Sequence, residues 1–205
     1  MARKRKTDHD SAVAAALNLF WKRGYDGAST REIEKMTGLT RFTLQTTYGG
    51  KEGFFLDTLD AYLDHAEAHH FPDPETFDLE ALAVWFEQLV EPDRIPDIDE
   101  SGCLAFNSIS EFERGNVDIN ERIQRYLNSF ESRVLEILRN ESERGNLLNG
   151  IGVEQLAHIL VDLLLGIHAV IKSRSDNALP MVHAKSVAEL IRSWKNVPRS
   201  SIGIK

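Results

Sequence analysis

Apolar side chains recur three and four residues apart through most of the 205-residue chain, the spacing of helices that bury one face. Val13, Ala16, Leu17 and Phe20 form the first such stripe, behind a cap at Asp10 or Ser11 and ahead of Gly24. Ser29 opens the next, because a hydroxyl three residues before Glu32 fits a capping box. Ile33 and Met36 share a face of this short helix, and Gly38 supplies its left-handed stop. Thr40 caps a third helix only two residues later, Arg41 to Tyr48, with Leu44 turned inward. Ile33, Met36, Leu44 and Tyr48 are expected to complete a small core with the first stripe. A fourth helix, Lys51 to His70, carries Phe55, Leu59, Tyr62 and Ala66 on one face.

Pro72 and Pro74 interrupt the pattern. It resumes with a helix at 79–89 (Leu82, Trp85, Phe86, Leu89), then an acidic proline-bearing loop at 91–100 and a helix at 101–112. A long helix at 117–145 follows, striped by Ile119, Ile123, Tyr126, Phe130, Val134, Ile137 and Leu138. Residues 153–172 are apolar nearly all round, so that helix must be covered on both sides. Leu156, Ile159, Leu160, Leu163 and Ile167 are assigned to its core face, leaving Ala157, Leu164 and Ile171 for a partner. A last helix, 180–194, carries Val187, Leu190, Ile191 and Trp194 in register. The expected architecture is all-α: an N-terminal three-helix bundle with a helix-turn-helix, joined to a larger C-terminal helical domain. In a helix-turn-helix the second helix enters the DNA major groove.

The net charge of −8 argues against DNA binding only until the chain is divided. Residues 1–51 hold ten Lys and Arg against five Asp and Glu, a charge of +5, while residues 52–205 carry −13. That asymmetry suggests a basic reader, 1–51, attached to an acidic body, 52–205. The tail Ala2–Lys6 reads equally as a phosphate-reaching arm or a solubilising one. On the third helix, Arg41, Phe42, Gln45 and Thr46 face outward with Thr43 and Thr47 near the backbone. Arg pairs with guanine, Gln with adenine, and apolar groups meet the thymine methyl, so this set is able to discriminate bases.

The segment from Ala15 to Leu63 resembles the TetR-type (tetracycline-repressor) family of transcriptional regulators. The resemblance rests on Gly24-Tyr25, the Ser29-Thr-Arg-Glu32 helix opening, Thr40-x-x-Thr43-Leu44, and Tyr48-Gly-Gly-Lys-Glu-Gly-Phe-Phe55, each in family register. It implies phosphate or base contacts from Thr30 and Arg31, and a phosphate contact from Lys51 at a helix N-terminus. Tyr48, at the end of the reading helix, joins the DNA-binding set. Gln45 stands where the family usually has Tyr, Phe42 where a small residue or Pro is common, and Glu34 where a small residue is usual. The first two imply an operator of this protein's own.

The same resemblance implies a dimer formed through the last two helices, with Ala157, Leu164, Ile171, Val187, Leu190, Ile191 and Trp194 as interface candidates. It also implies a small-molecule inducer, unidentified, that releases a double-stranded DNA operator. Apolar and aromatic lining with a few polar groups is the usual make-up of such a pocket, and Trp85, Phe86, Phe106, Asn107, Tyr126 and Phe130 are the candidates.

No Walker loop, dinucleotide-binding glycine motif, nucleophile elbow or zincin motif is present, and no cofactor is expected. His65, His69 and His70 invite a metal, but no Cys or carboxylate completes a site in that segment, and none is assigned. The single cysteine, Cys103, excludes an internal disulfide framework and suits a reducing compartment. The basic N-terminus lacks a following apolar run, and His158, Asp162 and His168 interrupt the most apolar stretch, so a cytoplasmic protein without a membrane span is expected. The competing function is an enzyme or metal-binding helical protein with a vestigial helix-turn-helix.

Overall fold

The computed structural model describes residues 9–91, 102–112, 115–148, 150, 152–173 and 178–196. Among them are nine helices, numbered here in chain order: α1 His9–Gly27, α2 Thr30–Thr37, α3 Arg41–Tyr48, α4 Lys51–His69, α5 Leu79–Gln88, α6 Leu104–Phe112, α7 Val117–Glu143, α8 Val153–Ser173 and α9 Ala178–Ser193. The all-α expectation holds. The acidic loop read at 91–100 and the tail Ala2–Lys6 lie outside the described residues, Glu91 excepted.

Packing divides the chain into two compact units, Met1–His70 with Asp97–Tyr126, and Phe71–Pro96 with Leu127–Lys205. The charge boundary at Lys51 is therefore not a packing boundary, since α4, α6 and the first part of α7 pack in the same unit as α1–α3.

In the first unit, Val13, Ala16 and Phe20 of α1 are buried with Ile33, Leu44, Phe54, Phe55 and Leu59. Phe20 meets the Phe55 ring edge-on at 5.0 Å and Phe54 at 6.4 Å. Both halves of the α2 capping box form: Glu32 N–H donates to Ser29 Oγ at 3.3 Å, and Ser29 N–H donates to Glu32 Oε2 at 3.0 Å. Met36 corrects the expected core, being 50% exposed, and Thr37 takes its place. Burial of Thr37 is tolerated because its hydroxyl donates to the Ile33 carbonyl at 2.7 Å and accepts Leu39 N–H at 3.1 Å, leaving no polar atom unpaired.

The second unit closes around Phe86, Phe130, Val134, Ile137, Leu138, Leu160 and Ile191, all fully buried. On α8 the inward stripe is Leu156, Ala157, Leu160, Leu164, Ile167 and Ile171, while Ile159 is 42% exposed. The phase read from sequence is thus wrong in part: Ile159 points out, and Ala157, Leu164 and Ile171 point in. Asn146 N–H donates to the Glu141 carbonyl at 2.9 Å as α7 ends, and a single antiparallel bridge pairs Leu147 with Lys195.

Candidate DNA-reading surface

Three residues, Gly38 to Thr40, separate α2 from α3. Gly38 takes the left-handed conformation (φ 71°, ψ 4°), and its N–H donates to the Glu34 carbonyl. Thr40 then caps α3 by accepting Thr43 N–H at 3.1 Å. Buried Leu44 and Leu39 anchor this turn from beneath. Leu44 is buried while Arg41, Phe42, Gln45 and Thr46 are all exposed; at about 100° per residue, Phe42 and Thr46 point away from Leu44, and Arg41 and Gln45 flank it.

Their chemistry differs. Arg41 and Gln45 end in multiple hydrogen-bonding groups suited to base edges. Phe42 is 76% exposed, a large apolar area to leave in water on a short helix. Met36 of α2 is the other large exposed apolar side chain in this motif. Thr46 donates its hydroxyl to the Phe42 carbonyl at 2.8 Å, and the Thr43 and Thr40 hydroxyls pair at 3.0 Å, with either able to donate, so both hydroxyl groups have local partners. Thr47 and Arg31 are exposed and Thr30 is half-buried. Tyr48 is half-buried, its ring against Phe54 at 4.7 Å and its hydroxyl 3.2 Å from His9 Nδ1.

The turn from α3 into α4 is tight. Gly49 ends α3 in the left-handed region, and Gly50, at φ 106° and ψ −161°, adopts a backbone that L side chains rarely enter. At Gly53 even a Cβ would overlap the Tyr48 carbonyl oxygen. Lys51, the first residue of α4, holds its ammonium over the Tyr25 ring, 4.2 Å from the centroid. The Glu32 carboxyl is held below its ordinary range, first by hydrogen bonds from Ser29 and then by Arg23, whose guanidinium lies 2.7 Å away.

The six pocket candidates fall into two groups, three in each unit. Trp85, Phe86 and Phe130 are buried together in the second: Trp85 stacks on Phe130 at 5.4 Å and meets Phe86 edge-on at 5.1 Å. Phe106, Asn107 and Tyr126 belong to the first unit, where Asn107 and Tyr126 are buried and Phe106 is half-buried. There the Tyr62 hydroxyl donates to Cys103 Sγ at 3.4 Å. Burial pushes the Cys103 thiol up despite that bond, and pushes both Tyr62 and Tyr126 well above the usual phenol range. Cys103 is a buried neutral thiol.

Of the interface candidates, Ala157, Leu164, Ile171, Val187, Ile191 and Trp194 are all buried within the second unit, and only Leu190, 40% exposed, is open to a partner. The exposed apolar side chains of α8 and α9 are Ile159, Met181, Val182 and Leu190. An all-round apolar helix gives no phase signal, which is why the sequence reading placed the outward face wrongly.

Two groups have surroundings that the sequence reading did not assign. Glu111 of α6 accepts hydrogen bonds from the backbone of Tyr25 and Asp26. Buried His168 has no hydrogen-bond partner at Nδ1 among the described residues, and burial pulls it down to about 4. The rings of His65, His69 and His70 lie close, at 4.6 and 5.3 Å from His65. Among the described residues no group of three His, Cys, Asp or Glu side chains is arranged to hold a metal. Helix α8 is long and apolar enough to cross a membrane by length and composition alone, but its apolar stripe lies in the core of the second unit.

A capped two-helix turn presenting Arg, Gln and Phe from its second helix defines a DNA-binding regulator of the helix-turn-helix class. Residues 12–58 match the family model described as bacterial regulatory proteins, tetR family. Residues 78–188 match the tetracyclin repressor-like C-terminal domain, which alone spans more than half of the chain. The chain belongs to the TetR family of transcriptional regulators. It is 27% identical over 163 residues to the HTH-type transcriptional repressor ComR of Escherichia coli K12, covering 78% of this chain and 77% of that one. A TetR-family regulator from Cytophaga hutchinsonii shares the fold with a TM-score of 0.81 at 14% identity, over 96% of this chain and all of that one. A cysteine-substituted CifR bound to 26-base-pair operator DNA does so with a TM-score of 0.73 at 22% identity, over 94% of this chain and all of that one.

Proposed function

We propose that this regulator is a homodimeric repressor that binds a double-stranded operator through α3 and is released by a small-molecule inducer. The observation that carries the DNA-binding half is the exposure of Arg41, Phe42 and Gln45 on a short helix anchored by buried Leu44. Arg41 and Gln45 read base edges, Phe42 meets a thymine methyl, and Arg31, Thr30 and Lys51 hold backbone phosphates. Thr43, Thr46, Thr47 and Tyr48 shape the rest of that face. Repression and operator binding are supported by the likeness to ComR and to the CifR–operator complex. Residues 1–51 act as the reader and 52–205 as the sensing and dimerising body, in the cytoplasm where the DNA is.

Dimerisation through Ile159, Met181, Val182 and Leu190 is supported by their exposure on the last two helices, and a two-fold dimer suits two half-sites about one helical turn or more apart. The buried aromatic groups around Trp85 and Phe130, and around Tyr126 and Asn107, are the places an apolar inducer would enter.

The test is fluorescence anisotropy of the purified protein on duplex DNA flanking its own gene, against a scrambled duplex, across a salt series. Binding that is lost on scrambling is expected. Equal binding to both, falling steeply with salt, sinks the reading. Gln45→Ala should cost about 1–3 kcal/mol at one operator position and relax specificity there; uniform loss at all positions removes Gln45 from the base readers.

A further inference from the structure

Glu111 lies on α6, outside the helix-turn-helix and outside the aromatic groups, yet its carboxylate closes on the backbone of α1. Its two oxygens accept the N–H groups of Tyr25 and Asp26, each at 2.8 Å. Successive backbone N–H groups at such a bend form a small concave donor site for an anion, and bonds to an ionised acceptor are the strong kind. The bend is made by Gly24, whose φ of 71° and ψ of 178° break α1. A Cβ at Gly24 would come 2.7 Å from Glu111 Oε1. Gly24 and Glu111 therefore form one device: the glycine opens the donor pair and makes room for the carboxylate that fills it.

What the device holds is Tyr25. Its ring packs against Phe112, next to Glu111 on α6, at 4.7 Å and against Phe55 at 5.3 Å. Above it stands the Lys51 ammonium, 4.2 Å from the centroid, well inside the range of a cation–π contact. Lys51 opens α4, where the first amides and the helix dipole favour an anion.

We propose that Glu111 is a positioning residue for DNA binding: by fixing the backbone at Tyr25 it seats that ring under Lys51 and so places the ammonium for a backbone phosphate. The proposal rests on the reading of Lys51 as a phosphate contact. Glu111 itself touches no DNA. The link gives α6, which lies far along the chain from the helix-turn-helix, a hold on one phosphate anchor through two consecutive contacts.

The test is a double-mutant cycle of Glu111→Ala and Lys51→Ala on an operator duplex, with affinity measured across a salt series and folding followed by circular dichroism. Lys51→Ala is expected to reduce the salt slope by about one unit. Glu111→Ala should do the same, weaken binding on the order of tenfold, and add no further slope loss when Lys51 is already Ala. Tyr25→Phe should keep the slope. Tyr25→Leu, which leaves both Glu111 hydrogen bonds in place, should lose it, and this variant decides the matter if Glu111→Ala does not fold. An unchanged slope in folded Glu111→Ala or in Tyr25→Leu overturns the proposal, as does an equal loss from Glu111→Ala with and without Lys51. An unchanged slope in Lys51→Ala strikes earlier, at the phosphate reading itself, and takes the proposal with it.

Discussion

In the unit that carries the reader, side chains repeatedly close onto backbone: Ser29 and Glu32 on each other's amides, Thr40 on Thr43, Glu111 on Tyr25 and Asp26. Trp21 also donates its indole N–H to the Gly102 carbonyl at 2.6 Å. The second unit has a few such closures, Asp78 on Ala81 and Asn140 on Pro74 among them, but it is built around a continuous aliphatic and aromatic core, with ion pairs such as Arg192 to Glu80 and Glu87 on its surface. Hydrogen bonds are directional and hydrophobic burial is not. A surface that must match a groove needs direction. A core of the second kind can shift its contacts without breaking specific bonds.

The contrast is broken or sharpened first by Phe130→Ala. Phe130 is fully buried against Trp85 and Phe71, so its loss should cost about 3–5 kcal/mol in urea unfolding. A cost below about 1 kcal/mol would mean that this core is not what holds the second unit.

His168 comes next, because it is a buried polar side chain in that unit whose Nδ1 has no hydrogen-bond partner among the described residues. Its folded value of about 4 lies below the ordinary 6.5, through burial alone. The unfolded chain therefore binds the extra proton between these values, and stability should be full above pH 6.5 and fall as pH drops toward 4. The loss attributable to this group is about 3 kcal/mol. Unfolding of wild type and His168→Leu at pH 7 and pH 4.5 checks it, since the variant should show a shallower acid loss.

On the reader side, Ser29→Ala should remove one cap and cost about 1 kcal/mol, read by thermal melting together with operator affinity. A loss of affinity larger than the loss of stability is expected, because α2 carries Thr30 and Arg31. The smallest effect belongs to Arg192→Met. Exposed ion pairs contribute about 0–1 kcal/mol, and added salt should diminish even that. A larger cost would make the second unit as dependent on polar contacts as the first.

The helix-turn-helix was legible because its signals are local. Ser29 with Glu32, Gly38, and Thr40 with Leu44 each lie within a few residues, and each forms as its spacing implies. Met36 was placed in the core and Thr37 left unread because a polarity pattern does not count a threonine as core, whereas the Thr37 hydroxyl is satisfied by the backbone of its own helix. The phase of α8 was hidden for another reason: with apolar residues all round, Ile159 and Leu164 look alike until neighbours choose between them. Glu111 was beyond reach, since it meets Tyr25 across 86 positions of sequence. Gly24-Tyr25 was noticed as a motif, but its partner carboxylate leaves no mark nearby.

The absence of space at Gly53 has a mechanical meaning. With no room for a methyl group between α4 and the last carbonyl of α3, the backbones of the two helices meet directly at this point, a contact that couples α3 to the start of α4. Helix α4 has 19 residues and is about 28 Å long, a stiff shaft ending in that contact. A swing of about 10° around its far end would carry the exposed side chains of α3 about 5 Å, close to one turn of helix. The reader's fit to DNA would then be set as a position of a single rigid piece, with no rearrangement of its face.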